Sequence, residues 1–235
     1  MDMDFREWRA QMRSAVFRGD GPLVTALVAA HGQPVNSLQL IGEGLLAAVA
    51  QGVAAAPELA RIAAKNLRER DWYGDGELAD QIEGLLGTKP MPDLRPIGVD
   101  LDVLGDILEG DPLQGMGRID LETGEAWPQA EIQYAETVGE EEPDRWLWVA
   151  PEGPEATLRD MQMFIGATPD ADLHARLQAA FESDDVFREF EHVLEDFPSQ
   201  LDQWHALSED HRRGRTRSWL AAAGFSQAIP TEPRM

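Results

Sequence analysis

Three carboxylates, Asp120, Glu122 and Glu125, lie around Thr123-Gly124. On a strand, Asp120 and Glu122 share one face about 7 Å apart. Carboxylates so placed can hold a hard cation or divide acid and base work between them. The plainer reading is a polar strand face followed by a turn. The five histidines are His31, His174, His192, His205 and His211. No two stand four apart, as a pair of zinc-binding imidazoles on one helix requires, so they read as ordinary surface or half-buried side chains. No Gly-x-Ser-x-Gly elbow offers a nucleophile, and no glycine-rich loop ends in Gly-Lys-Ser/Thr. The only lysines are Lys65 and Lys89, and Glu43 stands between Gly42 and Gly44, where it would repel a phosphate.

Two further groups suit contact better than bond-making. In Trp146-Leu147-Trp148-Val149 a strand turns both indoles to one side and both aliphatics to the other. Either helices cover the indoles or a partner does, since tryptophan is enriched where binding energy concentrates. The run His211-Arg212-Arg213-Gly214-Arg215-Thr216-Arg217 is basic within an acidic half. Arg213 and Arg217 share a helix face and read either as partners of neighbouring carboxylates or, with Trp146 and Trp148, as a protein-binding surface. Gly214 weakens a helix by about 1 kcal/mol, which predicts a kink or break there.

The elements that must position these groups follow from periodicity. Phe5, Trp8, Met12 and Val16 form one apolar stripe, and similar three- and four-residue spacings recur to Leu86. Residues 1–89 therefore read as a helical region, with Asn36 or Ser37 as the start of one helix. Pro90, Pro92 and Pro96 cannot continue a helix and mark a linker over 90–96. Residues 97–225 change period. Val99 to Leu104 is open between strand and helix. Met116 to Leu121 alternates, Glu122-Thr123-Gly124-Glu125 turns, and Ala126-Trp127 returns. Ile132 and Tyr134 extend a strand pattern, Glu140-Glu141-Glu142-Pro143 reads as a solvated loop, and Asp144 to Val149 as a third strand. Helices then run to Gly224, one of them starting at Thr168-Pro169-Asp170, and residues 226–235 read as a flexible tail. The fold class is α+β: an N-terminal helical region, then a small antiparallel sheet of about three strands packed by C-terminal helices.

Composition narrows the function. Asp and Glu number 43 against 20 Lys and Arg, a net charge of -23, of which residues 91–235 carry -20. Nucleic acid and anionic membranes would repel such a chain. Cysteine is absent, which removes disulfides, thiolate nucleophiles and cysteine-bound metals. The acidic start carries no basic, apolar leader, and the most apolar stretch, Leu45 to Pro57, is too short to span a bilayer. The expectation is a cytoplasmic protein without a cofactor.

Several segments together resemble an uncharacterised bacterial protein family of unknown function, the one numbered 0158. They are Asp120-Leu121-Glu122-Thr123-Gly124-Glu125, Asp144 to Val149, Leu158-Arg159-Asp160-Met161 with Phe164, Leu177 with Ala179-Ala180-Phe181, Phe187-Arg188-Glu189-Phe190, Trp204, and Arg217-Ser218-Trp219-Leu220. The resemblance covers roughly residues 97–225 and leaves the N-terminal region unmatched. Glu189 departs from it, standing where the family tends to carry a basic residue. It implies a hairpin region followed by helices and no activity. The leading expectation is a non-catalytic module that binds another protein, with no pocket furnished for bond-making. The alternatives are a metal-assisted or carboxylate-based hydrolase using Asp120, Glu122 and Glu125, and an acidic mimic of nucleic acid.

Overall fold

A computed structural model describes residues 3–132 and 143–233. Five helices open the chain: α1 (Phe5–Arg18), α2 (Gly21–His31), α3 (Leu38–Ala50), α4 (Ala56–Arg70) and α5 (Asp75–Leu85). Their apolar stripes close on one core containing Trp8, Met12, Ile41, Leu45, Leu67 and Leu78. The start of α3 is not capped from within. Ser37 makes no side-chain cap, and the free N–H of Gln39 donates instead to Asp210, 171 residues away, at 2.8 Å. A helix N-terminus favours a carboxylate, so Asp210 supplies what a local cap would have supplied.

Beyond the proline cluster come β1 (Arg95–Ile97), α6 (Leu101–Leu108), β2 (Gly117–Asp120), β3 (Ala126–Trp127), α7 (Gln129–Ile132) and β4 (Trp146–Val149). The ambiguous Val99 to Leu104 stretch resolves as helix because Asp100 caps it, accepting from the N–H of Asp102 at 2.8 Å. Strands β3, β2 and β4 form the expected antiparallel sheet in that order. Its β2–β3 turn uses Gly124 at φ +81, a conformation that glycine adopts without strain. A Cβ there would also strike the Gly98 backbone. Ile132 ends the short α7, not a strand; Tyr134 and residues 140–142 of the expected acidic loop lie outside the described residues.

Four helices follow: α8 (Glu155–Ala167), α9 (Ala171–Phe181), α10 (Val186–Glu195) and α11 (Pro198–Ala222). Asp170 caps α9, while Thr168 turns back to donate to the Phe164 carbonyl at 2.8 Å. Phe164, Phe190 and Trp204 meet edge to face with centroids 5.0 to 6.2 Å apart and centre a helical core of their own. A third core joins α6, the sheet and Leu220 of α11.

Two expectations are corrected. Strand β5 (Phe225–Gln227) pairs in parallel with β1, matching Arg95 to Phe225 and Ile97 to Gln227. The last linker residues and the first tail residues are thus ordered by each other, a pairing between distant segments that no local pattern announces. Helix α11 also runs through Gly214 without a break. The turn after α4 crosses α11 at that point. A Cβ on Gly214 would collide with the Tyr73 carbonyl, and one on Gly74 with the Gly214 carbonyl. The glycine is a point of backbone contact and not a hinge.

Gly214→Ala should therefore destabilise the protein by about 1–3 kcal/mol through overpacking, although alanine favours an isolated helix by about 1 kcal/mol. Chemical denaturation measures this, and a neutral or stabilising result would refute the contact.

Candidate functional site

The residues singled out for binding do not form one surface. Trp146 is 8% exposed, with the Arg118 guanidinium 3.9 Å over its ring, while Trp148 is 50% exposed. The two indoles are not presented together. Arg213 and Arg217 are buried within the fold. Arg213 donates to Glu43 at 2.9 Å, Asp102 at 2.6 Å and Glu209 at 3.3 Å. Arg217 donates to the side-chain carbonyls of Gln39, Gln81 and Gln227 at 3.1 to 3.4 Å. The rest of the basic run is paired as well, Arg212 with Asp106 and Arg215 with Glu109 and Asp160. Burial opposes the charge on Arg213, but the carboxylates of Glu43, Asp102 and Glu209 outweigh it and raise the guanidinium above its usual value. Burial lowers Arg217.

Asp120, Glu122 and Glu125 are not gathered around a cation. Asp120 accepts from Arg145 at 2.6 Å and from the backbone N–H groups of Glu122 and Thr123, so it closes the turn. The Arg145 hydrogen bond, against the cost of burial and with help from those two N–H groups, holds its carboxyl at about 2. Glu122 is exposed, and its carboxylate lies 3.7 Å from Arg145. Among the described residues no three His, Cys, Asp or Glu side chains are placed to hold a metal.

The open space lies elsewhere. A cleft of about 1250 Å³ runs between the turn after α4, helix α8 and helix α11. Acid, histidine and arginine side chains converge on it, where the sequence led us to expect no pocket furnished for bond-making. The turn contributes Trp72 and Tyr73, α8 contributes Arg159, Asp160 and Met163, and α11 contributes His211. Asp160 is nearly fully buried. It accepts from His211 Nδ1 at 2.7 Å with one oxygen and from Arg215 at 2.7 Å with the other. The imidazole is only 10% exposed, and its Nε2 is buried without a hydrogen-bond partner. The Trp72 ring meets His211 at 85° with centroids 4.2 Å apart, and the Arg70 guanidinium stacks 4.1 Å over the indole. Arg70 is fixed in turn by Asp75 and Asp210. Burial pushes the Asp210 carboxyl up to about 6, against the pull of Arg70 and the Gln39 N–H.

Only tertiary structure assembles this wall. Asp160 and His211 are 51 residues apart, and no spacing rule links them. In the sequence, Gly74-Asp75-Gly76 reads as a helix break, and the one local cue to the wall is the pair of aromatics Trp72 and Tyr73 just before it.

The Asp120 closure carries a pH dependence. A carboxyl lowered in the folded state stabilises above its unfolded pKa and loses that contribution as pH falls through its folded value. Asp120→Asn keeps the acceptor for the turn but discards the ionic partner, so it should cost about 2 kcal/mol at pH 7. Near pH 3 the penalty should be about half as large. A penalty independent of pH in denaturation measurements would exclude the Arg145 pair as its cause.

Comparison with known proteins follows the same division of the chain. The model of the Uncharacterised protein family (UPF0158) matches residues 117–232, starting later and ending later than the expected range of 97–225. A UPF0158 protein of Pseudomonas aeruginosa is 27% identical over 145 residues, which cover 60% of this chain and 92% of that protein. No solved structure matches. The cleft is therefore walled on two sides by the matched segment and on the third by the unmatched N-terminal helices. Over residues 117–232 the chain is similar to the uncharacterised family UPF0158.

Proposed function

We propose that this chain is a binding module whose cleft takes a short segment of another protein. The observation that carries the reading is the cleft itself. Its volume of about 1250 Å³ exceeds the roughly 300–1000 Å³ that encloses a small ligand, and it suits several residues of extended chain. Tyr73 is 78% exposed and Met163 53% exposed on its walls. Large apolar side chains left in water at one concave place mark a surface that a partner covers. Arg159 has no partner among the described residues and can donate to the carbonyls of such a segment. The cysteine-free, acidic sequence supports a cytoplasmic setting.

A hydrolytic reading has one observation in its favour, the Asp160–His211 pair with Nε2 unpartnered. It would draw on those residues and not on Asp120, Glu122 and Glu125. The binding reading is preferred because both Asp160 oxygens are engaged and Ser218, the cleft's serine, donates to Glu77 at 2.9 Å instead of approaching the imidazole as a nucleophile must.

The test is selection of displayed peptides against the full chain. Enriched peptides should bind with micromolar Kd, and Met163→Glu should weaken them at least tenfold with an unchanged Tm. Trp148→Ala should leave them unaffected. Failure to enrich any peptide, or peptides indifferent to Met163, would overturn the assignment. Binding that ignores Met163 and collapses as salt rises to about 0.3 M would point instead to the acidic-mimic reading.

A further inference from the structure

The wall of the cleft carries a specificity that the apolar side chains do not explain. The 2.7 Å contact of His211 with the Asp160 carboxylate assigns the ring to the tautomer that carries its proton on Nδ1. Nε2 of the neutral ring is then an acceptor, and it is buried without a donor. A buried acceptor left unmade costs about 1–3 kcal/mol, a cost that an incoming N–H removes. The charges on the same walls favour a positively charged donor. Asp160 and Arg215 neutralise each other, and Arg215 is further matched by Glu109. What remains is Asp71, without a partner among the described residues, and Glu77, held only by the Ser218 hydroxyl at 2.9 Å, against the single guanidinium of Arg159. The whole chain adds a field of net charge -23. The open ring of Tyr73 offers a face of the kind that attracts cations.

We propose that the segment bound in this cleft presents a cationic side chain, lysine or arginine, whose N–H groups donate to His211 Nε2 and to the Glu77 carboxylate. This rests on the cleft being the binding site. A donor at the buried Nε2 displaces the Trp72 ring, which packs against the imidazole at 85°. Arg159, on the α8 wall, takes the segment's backbone carbonyls and leaves the cation to the opposite side.

Calorimetry on the full chain tests this with blocked leucine- and serine-containing heptapeptides that carry a central lysine, norleucine or glutamate. The lysine peptide should bind about tenfold more tightly than the norleucine peptide, and the glutamate peptide should show no measurable heat. Glu77→Gln keeps the Ser218 hydrogen bond and should remove most of the lysine preference. His211→Phe should do the same, while Trp148→Ala, outside the cleft, should leave the binding of all three peptides unchanged. Equal binding of lysine and norleucine peptides, both abolished by Met163→Glu, would overturn the cationic specificity and leave the cleft as a binding site. A lysine preference surviving in both variants would also overturn it. No binding by any of the three would remove the cleft reading together with this one.

Discussion

The structure depends on a layer of charge buried along α11. Asp210 reaches the start of α3 and Arg70, Arg213 reaches Glu43 and Asp102, and Arg217 reaches three glutamine carbonyls. Desolvating so many ions is costly unless each finds its partner. Here the demand acts as a constraint on assembly: the partners come from α3, α4, α5, α6 and β5, so the ions are satisfied only when helices α3 to α6 and the chain end close on α11 together. Removing one member strands the others, which makes the layer a specifier of one arrangement more than a source of net stability.

That layer also explains why a cleft exists. The turn after α4 is held to α11 by Arg70 and by the contact of Gly74 with Gly214. Helix α8 is held to α11 by Asp160, which clasps His211 and Arg215. Two supports fixed to one long helix leave a trough between them, whose width is set by these ionic and backbone contacts together with the packing of Phe164 on Trp204. The matched family segment supplies two walls and the unmatched helices the third, so a domain lacking residues 1–116 would lack Trp72 and Tyr73.

Much of the architecture was legible in the sequence because it rests on short-range physics. Apolar spacing marked the helices, alternation with Gly124 marked the hairpin, and the acid excess around the arginine run implied that its charges were paired. The failures share one cause. Gly214 looked like a weakness because its neighbour in space, Tyr73, is far away in the chain. Ser226 and Gln227 looked patternless because β1, which orders them, lies about 130 residues earlier. Trp146 and Trp148 share a strand face, yet Arg118 covers only the first.

Residue order alone determined most of the helices, where the hairpin turns, how acidic the chain is and which chemistry has no motif, since each follows from side chains within a few positions of one another. Only the folded chain decided which charges are interior, why a glycine stands in the middle of the longest helix, and that Asp160, His211 and Trp72 line one opening. Those facts depend on backbone paths meeting across 50 to 170 residues, and helical or strand periodicity carries no information at that range.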